Sequence, residues 1–209
     1  DEIADAMGID PVELRRRNLL PRGGEILDTL RPLDADIGDM IGRADQAIMN
    51  LGDGAAAGIA VAATDPGILP LGGALVRVLV DGSIIVMSNS VDIGQGVRTV
   101  LREVVAKMLN QNPNSIQIAN PDTSTTPFDW GTGASRSTVI MGLAVEDAAR
   151  DASDQILALA SSVFDGAPND LRLVPGGVAH GDEFLPFQDV YHRAFGVDSG
   201  EVVGRAMVT

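Results

Sequence analysis

The chain has 209 residues, a formal net charge of −14 at pH 7, 45% apolar residues and 3% aromatic ones. Because nucleic-acid backbones require a basic face, this acidic balance argues against a nucleic-acid partner. With no cysteine and two histidines, the sequence excludes disulfides, iron–sulfur ligation, thiolate zinc sites, a cysteine nucleophile and a histidine-rich metal centre.

The length suits one domain or two small ones. No apolar run approaches the roughly 20 residues needed to span a bilayer, and no secretory signal is visible, so we expect a cytoplasmic protein. The sequence opens on Asp1-Glu2-Ile3 without an initiator Met, and we therefore expect the chain to be a fragment of something longer.

The first part of the chain is predicted to be helical. Residues 2–20 form the first predicted helix, in which Asp10 and Pro11 have the residue types of an N-cap followed by a first helical position. Residues 25–36 contain proline and several acids and are predicted to be irregular. A second helix is predicted from about residue 37 to residue 51, although its two glycines lower the helix propensity of the segment.

The period of the apolar residues changes after this part of the chain. Asp81-Gly82 lies between two apolar runs, 74–80 and 83–87, and predicts a hairpin. Apolar residues at i, i+3, i+4, i+7 and i+8 predict an amphipathic helix over residues 97–109. The other predicted elements are a strand at 58–62, a strand at 115–118, a polar loop at 120–133, an alanine-rich helix at 138–163, a hairpin around Leu173 and Val178, a strand at 183–185 and a short helix near 187–195. These elements define an α+β fold, with a helical lead-in segment at 1–52 and an α+β domain at 53–209.

Gly94-Gln95-Gly96 lies between the predicted hairpin and the amphipathic helix. A Gly-X-Gly turn exposes backbone N–H groups at a helix N-terminus, where the helix dipole favours an anion. Gln95 adds a side-chain amide that can donate and accept hydrogen bonds. The alternative is that this segment is only a tight turn.

A second small-residue segment, Gly131-Thr132-Gly133-Ala134-Ser135-Arg136-Ser137-Thr138, opens the long predicted helix. Its amides and hydroxyls suit a phosphate or pyrophosphate, and Arg136 would supply charge. The spacing matches neither the P-loop nor the dinucleotide-binding fingerprint. The alternatives are that the hydroxyls only cap the helix and that Arg136 forms a surface ion pair.

Two acids, Asp122 and Asp129, lie in the polar loop before this segment. Their default role is to cap turns through their side chains. Nothing in the sequence forms a nucleophile, base and orienting residue of a catalytic triad.

In their order along the chain, these segments resemble the molybdopterin-binding large subunit of the xanthine dehydrogenase/aldehyde oxidase family, the molybdenum hydroxylases. Residues 3–19 resemble the family's helix, Asp-Pro, helix, Arg-Asn-Leu signature. Residues 92–96 resemble its Gly-Gln-Gly cofactor loop. Pro121-Asp122-Thr123 with residues 133–138 resembles its second cofactor loop, and residues 200–205 fit its next segment. The resemblance covers nearly the whole chain.

The resemblance implies that the two loops bind the phosphate or dinucleotide tail of molybdopterin, in its cytosine dinucleotide form. The implied cofactor-binding residues are Gly94, Gln95 and Gly96 on one side and Thr132, Gly133, Ala134, Ser135, Arg136 and Ser137 on the other. The implied partners are the remainder of the molybdenum-binding subunit and the iron–sulfur and FAD subunits or domains. The implied reaction is the oxidation of aldehydes, purines or N-heterocycles by metal-activated hydroxide.

The chain departs from the family in what it lacks. The family's Gly-X-Gly-Glu motif, whose Glu is the catalytic base, does not occur in this sequence, and neither does the upstream Gly-rich loop near the metal. We therefore expect no catalytic or metal-binding residue here, an isolated chain that is inactive and without cofactor, and self-association of the fragment. The alternative is a degenerate, non-catalytic module for assembly or interaction.

Overall fold

A computed structural model describes residues 1–25, 27–28, 31–62, 70–197 and 199–209, and the chain divides into two units, Asp1–Asp65 and Pro66–Thr209. Part of the segment predicted to be irregular, namely residues 26, 29 and 30, lies outside the described residues. The predicted division after residue 52 stays a prediction about independent domains.

The first unit contains three helices, α1 (Glu2–Met7), α2 (Pro11–Arg17) and α3 (Ile37–Met49). Asp10 accepts hydrogen bonds from the backbone N–H groups of the two residues after Pro11, each at 2.9 Å, which confirms the predicted N-cap. The helical stretch predicted over residues 2–20 consists of two helices, because Gly8 ends α1 in the left-handed region with φ 63° and α2 begins after the predicted N-cap.

The strand predicted at residues 58–62 is also wrong, since the structure places these residues outside any strand. The alternation of small and apolar residues suggested a strand. An extended segment becomes a strand only when a neighbouring strand accepts its hydrogen bonds, and the sequence pattern alone does not supply that neighbour.

The second unit is α+β, as predicted. In chain order it contains β1 (Gly72–Leu79), β2 (Ile84–Ser88), α4 (Val97–Leu109), β3 (Ile116–Ile118), α5 (Gly142–Phe164), β4 (Leu171–Val174), β5 (Gly177–His180), β6 (Glu183–Pro186), α6 (Phe187–Phe195) and β7 (Glu201–Val208). The predicted hairpin is confirmed as β1 and β2, which pair antiparallel with Gly82 in the turn at φ 82°. The predicted amphipathic helix is confirmed as α4.

The main sheet has the strand order β3, β2, β1, β7. Strand β7 pairs antiparallel with β1 along its whole length, and β3 pairs parallel with β2. The second sheet, β4, β5 and β6, is an antiparallel meander. The strand β7 was not among the predicted elements, and its position makes β1 an inner strand of the main sheet.

Helix α5 packs against β1 and β7, and α4 packs against α5 and β3. The buried face of α5 is built largely from alanine, which lets the helix backbone lie close to the sheet. A π-helical turn, Ser137–Met141, leads into α5. The loops before α4 and before α5 therefore precede two helices that pack on each other.

Candidate functional site

The two loops singled out from the sequence meet at one backbone oxygen. We call residues 91–96 the first loop and residues 131–137 the second loop. Gln95 of the first loop donates from Nε2 to the carbonyl oxygen of Val91 at 3.0 Å, and Thr132 of the second loop donates from Oγ1 to the same oxygen at 2.6 Å. Gln95 Nε2 and Thr132 Oγ1 are 3.5 Å apart. The structure therefore brings together the two segments that the sequence placed 37 positions apart.

The first loop, which precedes helix α4, is held in shape by its own carboxylate. Gly94 has φ 103° and Gly96, the N-cap of α4, has φ 75°, conformations that favour glycine. Asp92 Oδ1 accepts hydrogen bonds from the N–H groups of Gly94 at 2.9 Å and Gly96 at 3.4 Å. The hydrogen bond from Gly94 is the main cause that holds the pKa of Asp92 below its ordinary value of 3.8.

These hydrogen bonds change what the first loop can offer a ligand. The sequence suggested that the glycine N–H groups would bind a phosphate, whereas the structure directs those of Gly94 and Gly96 to Asp92. The N–H of Ile93 donates to Gln95 Oε1 at 2.7 Å, so Gln95 also stabilises its own loop. The Gln95 Nε2 contact to Thr132 lies at the outer limit of a hydrogen bond. The N–H of Gln95 that faces Thr132 is therefore held more weakly than the one that donates to Val91.

The second loop is open and conformationally unusual. Gly131 has φ 97°, and two non-glycine residues, Ala134 and Ser135, also have positive φ, at 46° and 52°. Such non-glycine conformations are uncommon and occur where the surrounding structure fixes them. Gly133, Ala134 and Ser135 are exposed, while Thr132 and Ser137 are half-buried. The loop thus presents hydroxyls and backbone groups to solvent.

Arg136 points into the protein and not toward solvent. Its side chain is 2% exposed and forms an ion pair with the side chain of Asp129, which is 1% exposed. The guanidinium also donates to the carbonyl oxygens of Gly131 at 2.9 Å and Leu71 at 2.8 Å. The expectation that Arg136 supplies charge to a phosphate does not match this placement, and the alternative of a surface ion pair does not match it either.

The sequence reasoning missed the role of Asp129. It was expected to cap a turn, as Asp122 does by accepting from the backbone N–H of Ser124 at 2.8 Å. Asp129 instead accepts from Ser90 Oγ at 3.3 Å and pairs with Arg136. No local signal separates these two acids, because both lie in the same polar loop and only the tertiary fold buries one of them.

The arrangement fits a polar ligand that approaches both loops. A Cβ added at Gly94, Gly96, Gly131 or Gly133 would meet no other atom within 4 Å, so both loops border open space. Hydroxyls, amides and helix-proximal backbone groups are the donors that phosphate oxygens accept. The residues therefore fit a phosphate-bearing group held by neutral donors, with Arg136 supporting the loop from behind.

Two further findings bear on the chemistry. Within the part of the chain that the structure describes, no three His, Asp or Glu side chains lie together in a way that could hold a metal ion. Among the same residues, no helix has the length and apolar character needed to cross a membrane.

Residues 38–208 match the family model described as the molybdopterin cofactor-binding domain. The match covers well over half of the chain, and the chain belongs to this family. The predicted resemblance to the molybdenum hydroxylases is thereby confirmed.

Comparison with curated proteins agrees with this family. The chain is 30% identical over 194 residues to the gamma subunit of the 6-hydroxypseudooxynicotine dehydrogenase complex of Paenarthrobacter nicotinovorans, a match that covers 81% of this chain and 24% of the relative. It is 29% identical over 195 residues to a putative xanthine dehydrogenase molybdenum-binding subunit of Escherichia coli strain K12, covering 85% of this chain and 26% of the relative. The chain therefore spans about a quarter of the length of these curated relatives.

The fold is similar to solved structures of the same class. Reconstituted CO dehydrogenase from Oligotropha carboxidovorans aligns with a TM-score of 0.64 at 17% identity, over 98% of this chain and 30% of that one. Aldehyde oxidoreductase from Desulfovibrio gigas aligns with a TM-score of 0.59 at 20% identity, over 99% of this chain and 22% of that one. At these identities the likeness shows the fold alone, and it confirms the predicted fold class.

Proposed function

We propose that this chain holds the phosphate-bearing tail of molybdopterin, in its cytosine dinucleotide form, between the first loop and the second loop. The observation that carries the proposal is the contact of Gln95 and Thr132 at the Val91 carbonyl, which joins the two loops. The open space beside the glycines of both loops supports it.

The proposed contacts come from neutral donors. Ser135 and Ser137 offer hydroxyl donors, and Gln95 offers the N–H that lies 3.5 Å from Thr132 Oγ1. Thr132 holds the second loop in place by donating to the Val91 carbonyl. The backbone of Gly133 and Ala134 adds exposed polar groups.

The remaining residues of the two loops shape the site. Gly94 and Gly96 form its other wall, with their N–H groups bound to Asp92. Arg136 acts from the protein interior, where its guanidinium contacts Gly131.

The whole enzyme that we propose is a molybdenum hydroxylase acting on aldehydes, purines or N-heterocycles. When bound, the cofactor supplies the redox centre at which the substrate carbon is oxidised. This chain binds and orients the tail, while the catalytic base lies on another part of the enzyme, because no Gly-X-Gly-Glu motif occurs here. The partners are the rest of the molybdenum-binding subunit and the iron–sulfur and FAD subunits or domains, in the cytoplasm. The names of two relatives, a complex subunit and a molybdenum-binding subunit, support this assignment.

The test is the pterin content of the complex formed when this chain is produced together with the rest of its enzyme. Pterin released by oxidation is counted per chain by fluorescence. Thr132→Val removes the hydroxyl that donates to the Val91 carbonyl and joins the two loops. A neutral hydrogen bond contributes about 0.5–1.5 kcal/mol, so pterin affinity should fall by up to about tenfold. Ser162→Ala, an exposed hydroxyl at the end of α5, is the control. Wild-type pterin content in Thr132→Val would contradict the site, and a wild-type complex without pterin would favour the assembly module.

We also propose that the isolated chain self-associates. Several large apolar side chains are exposed, among them Ile93 at 72% and Trp130 at 55%. Exposed apolar surface promotes association when it is extensive. Sedimentation equilibrium over a hundredfold range of concentration measures this, and a strictly monomeric chain over that range would contradict it.

A further inference from the structure

The buried pair of Arg136 and Asp129 connects three segments of the second unit. Arg136 donates to the Gly131 carbonyl inside the second loop and to the Leu71 carbonyl at the start of β1, at 2.9 and 2.8 Å. Asp129 accepts from Ser90 Oγ at 3.3 Å, and Ser90 directly precedes the first loop. The pair therefore links both loops to the start of β1, an inner strand of the main sheet.

Backbone pairing also places Asp129 at the start of β1. Asp129 forms an isolated antiparallel bridge with Gly72, and the N–H of Gly73 donates to the Phe128 carbonyl at 2.8 Å. The backbone of Asp129 is therefore held by β1, and its carboxylate is held by Arg136.

A buried ion pair by itself contributes little to the stability of a protein. Removing two charges from water costs as much as their attraction returns, and apolar residues of similar volume often stabilise a core better. What such a pair provides is a fixed geometry, since a guanidinium donates along several set directions at once. Here those directions lead to Asp129, Gly131 and Leu71.

The second loop needs such a fixed support. Ala134 and Ser135 hold positive φ although neither is glycine, and they lie directly before Arg136. Non-glycine residues keep such conformations only when their surroundings over-determine them. The next residues form a π-helical turn, a feature that places one extra residue in a helix and often occurs at functional sites.

We propose that Arg136 and Asp129 are positioning residues that hold the first loop and the second loop at a fixed separation for the cofactor tail. They do so through the Gly131 carbonyl on one side and Ser90 on the other. The purpose of this positioning, which is to hold the cofactor tail, rests on the proposed function. The positioning itself is a property of the chain and can be measured without any ligand.

The experiment is ¹⁵N relaxation by NMR on the full 209-residue chain. Backbone order parameters near ~0.85 mark rigid amides, and values below ~0.6 mark flexible ones. In Arg136→Lys the charge remains, but the planar fork to Gly131 and Leu71 is lost. We expect order parameters of residues 131–135 to fall from the rigid range toward ~0.6, while those of α5 stay unchanged. The control is Arg150→Lys, an exposed arginine of α5 paired with Glu146 and Asp147.

A second variant keeps the proposal testable if Arg136→Lys does not fold. Ser90→Ala removes one hydrogen bond to Asp129 and no charge. We expect it to lower the order parameters of the first loop and to leave those of β1 unchanged. Wild-type values in both loops for every folded variant would overturn the proposal.

Pterin content separates this inference from the proposed function. If the loops loosen in Arg136→Lys and the complex containing that variant also loses pterin, both stand. If the loops loosen but the wild-type complex holds no pterin, the positioning role stands and the proposed function fails. If pterin binds and the loops stay rigid in Arg136→Lys, the positioning role fails and the proposed function stands.

Discussion

Gln95 and Thr132 donate hydrogen bonds to the same atom, the carbonyl oxygen of Val91, although the two residues are 37 positions apart. A carbonyl oxygen has two lone pairs and can accept both. The position of each loop therefore depends on the other through a single acceptor. Substitution of either side chain should therefore change the positions of both loops.

Replacing Gln95 by glutamate tests this dependence. Gln95→Glu keeps the shape of the side chain but removes the donor to Val91 and adds a negative charge beside the proposed phosphate site. We expect cofactor occupancy of the complex to fall at least tenfold, because repulsion adds to the lost hydrogen bond, while the melting temperature stays within a few degrees. The measurement is pterin per chain, with differential scanning fluorimetry for stability.

Gln117→Glu is the matched control for this variant. Gln117 is exposed on β3, and its substitution makes the same change of charge on a different part of the surface. Equal losses of pterin in the two variants would show that net charge, and not the loop, is responsible.

At low pH, Asp92 should lose the hydrogen bonds that it accepts within the first loop. The hydrogen bond from Gly94 lowers its folded-state pKa, so its contribution is present above the unfolded value and disappears as pH falls through the lower folded value. The amide signals of Gly94 and Gly96 should therefore titrate with a midpoint below 3.8. NMR measures the midpoint, and one at or above the ordinary value would count against these hydrogen bonds.

Removing the charge of Asp92 should also make the first loop more favourable to anions. In Asp92→Asn the low-pH titration should vanish, and inorganic pyrophosphate should bind more tightly near Gly94, because the competing carboxylate is gone. Chemical-shift titration with pyrophosphate measures this. Unchanged or weaker binding would show that the first loop does not bind anions even when the Asp92 carboxylate is absent.

The elements that could be predicted from the sequence are those with a local cause. The turn at Asp81-Gly82 and the regular apolar spacing of α4 depend on neighbouring residues, and both elements are found where they were predicted. The first loop and the second loop were identified for a similar reason, since small residues before a helix are visible in the sequence.

What could not be predicted depends on partners distant in sequence. Strand β7 is defined by its pairing with β1, which begins at Gly72, far earlier in the chain. The burial of Arg136 depends on where the fold places Asp129, and an arginine in a Ser/Thr-rich loop gives no sign of that. Asp92 is different, because its hydrogen bond from the Gly94 N–H joins residues two positions apart and is a local turn of the kind that aspartate favours.

The close packing of β7 on α5 gives a stability prediction. A Cβ at Gly204 would lie 2.0 Å from the Ala148 carbonyl oxygen and 2.5 Å from the Ala152 backbone nitrogen, so Gly204→Ala forces the strand and the helix apart. Overpacking of this kind costs typically about 1–3 kcal/mol, and backbone clashes lie at or beyond the upper end. Urea unfolding of the chain measures the loss.

Gly142→Ala is the opposite case on the same helix. Gly142 has helical backbone angles, and a Cβ there meets nothing within 4 Å. Alanine should therefore raise the free energy of unfolding by about 0.5–1 kcal/mol. If Gly204→Ala were as stable as Gly142→Ala, the close approach of β7 and α5 would be wrong.

The isolated chain should carry no stoichiometric molybdenum and should not oxidise aldehydes or purines. The reason lies in the sequence, because the chain has no Gly-X-Gly-Glu motif for the base and spans about a quarter of the length of its curated relatives. The tail contacts proposed for Gln95 and Thr132 hold one end of the cofactor, and the reacting end requires groups from the rest of the enzyme. Elemental analysis and an aldehyde-dependent dye-reduction assay measure the two quantities. Addition of the remainder of the molybdenum-binding subunit should restore bound molybdenum and aldehyde oxidation. Turnover by the purified 209-residue chain with bound metal would contradict the proposal that the reacting end of the cofactor needs groups outside this chain.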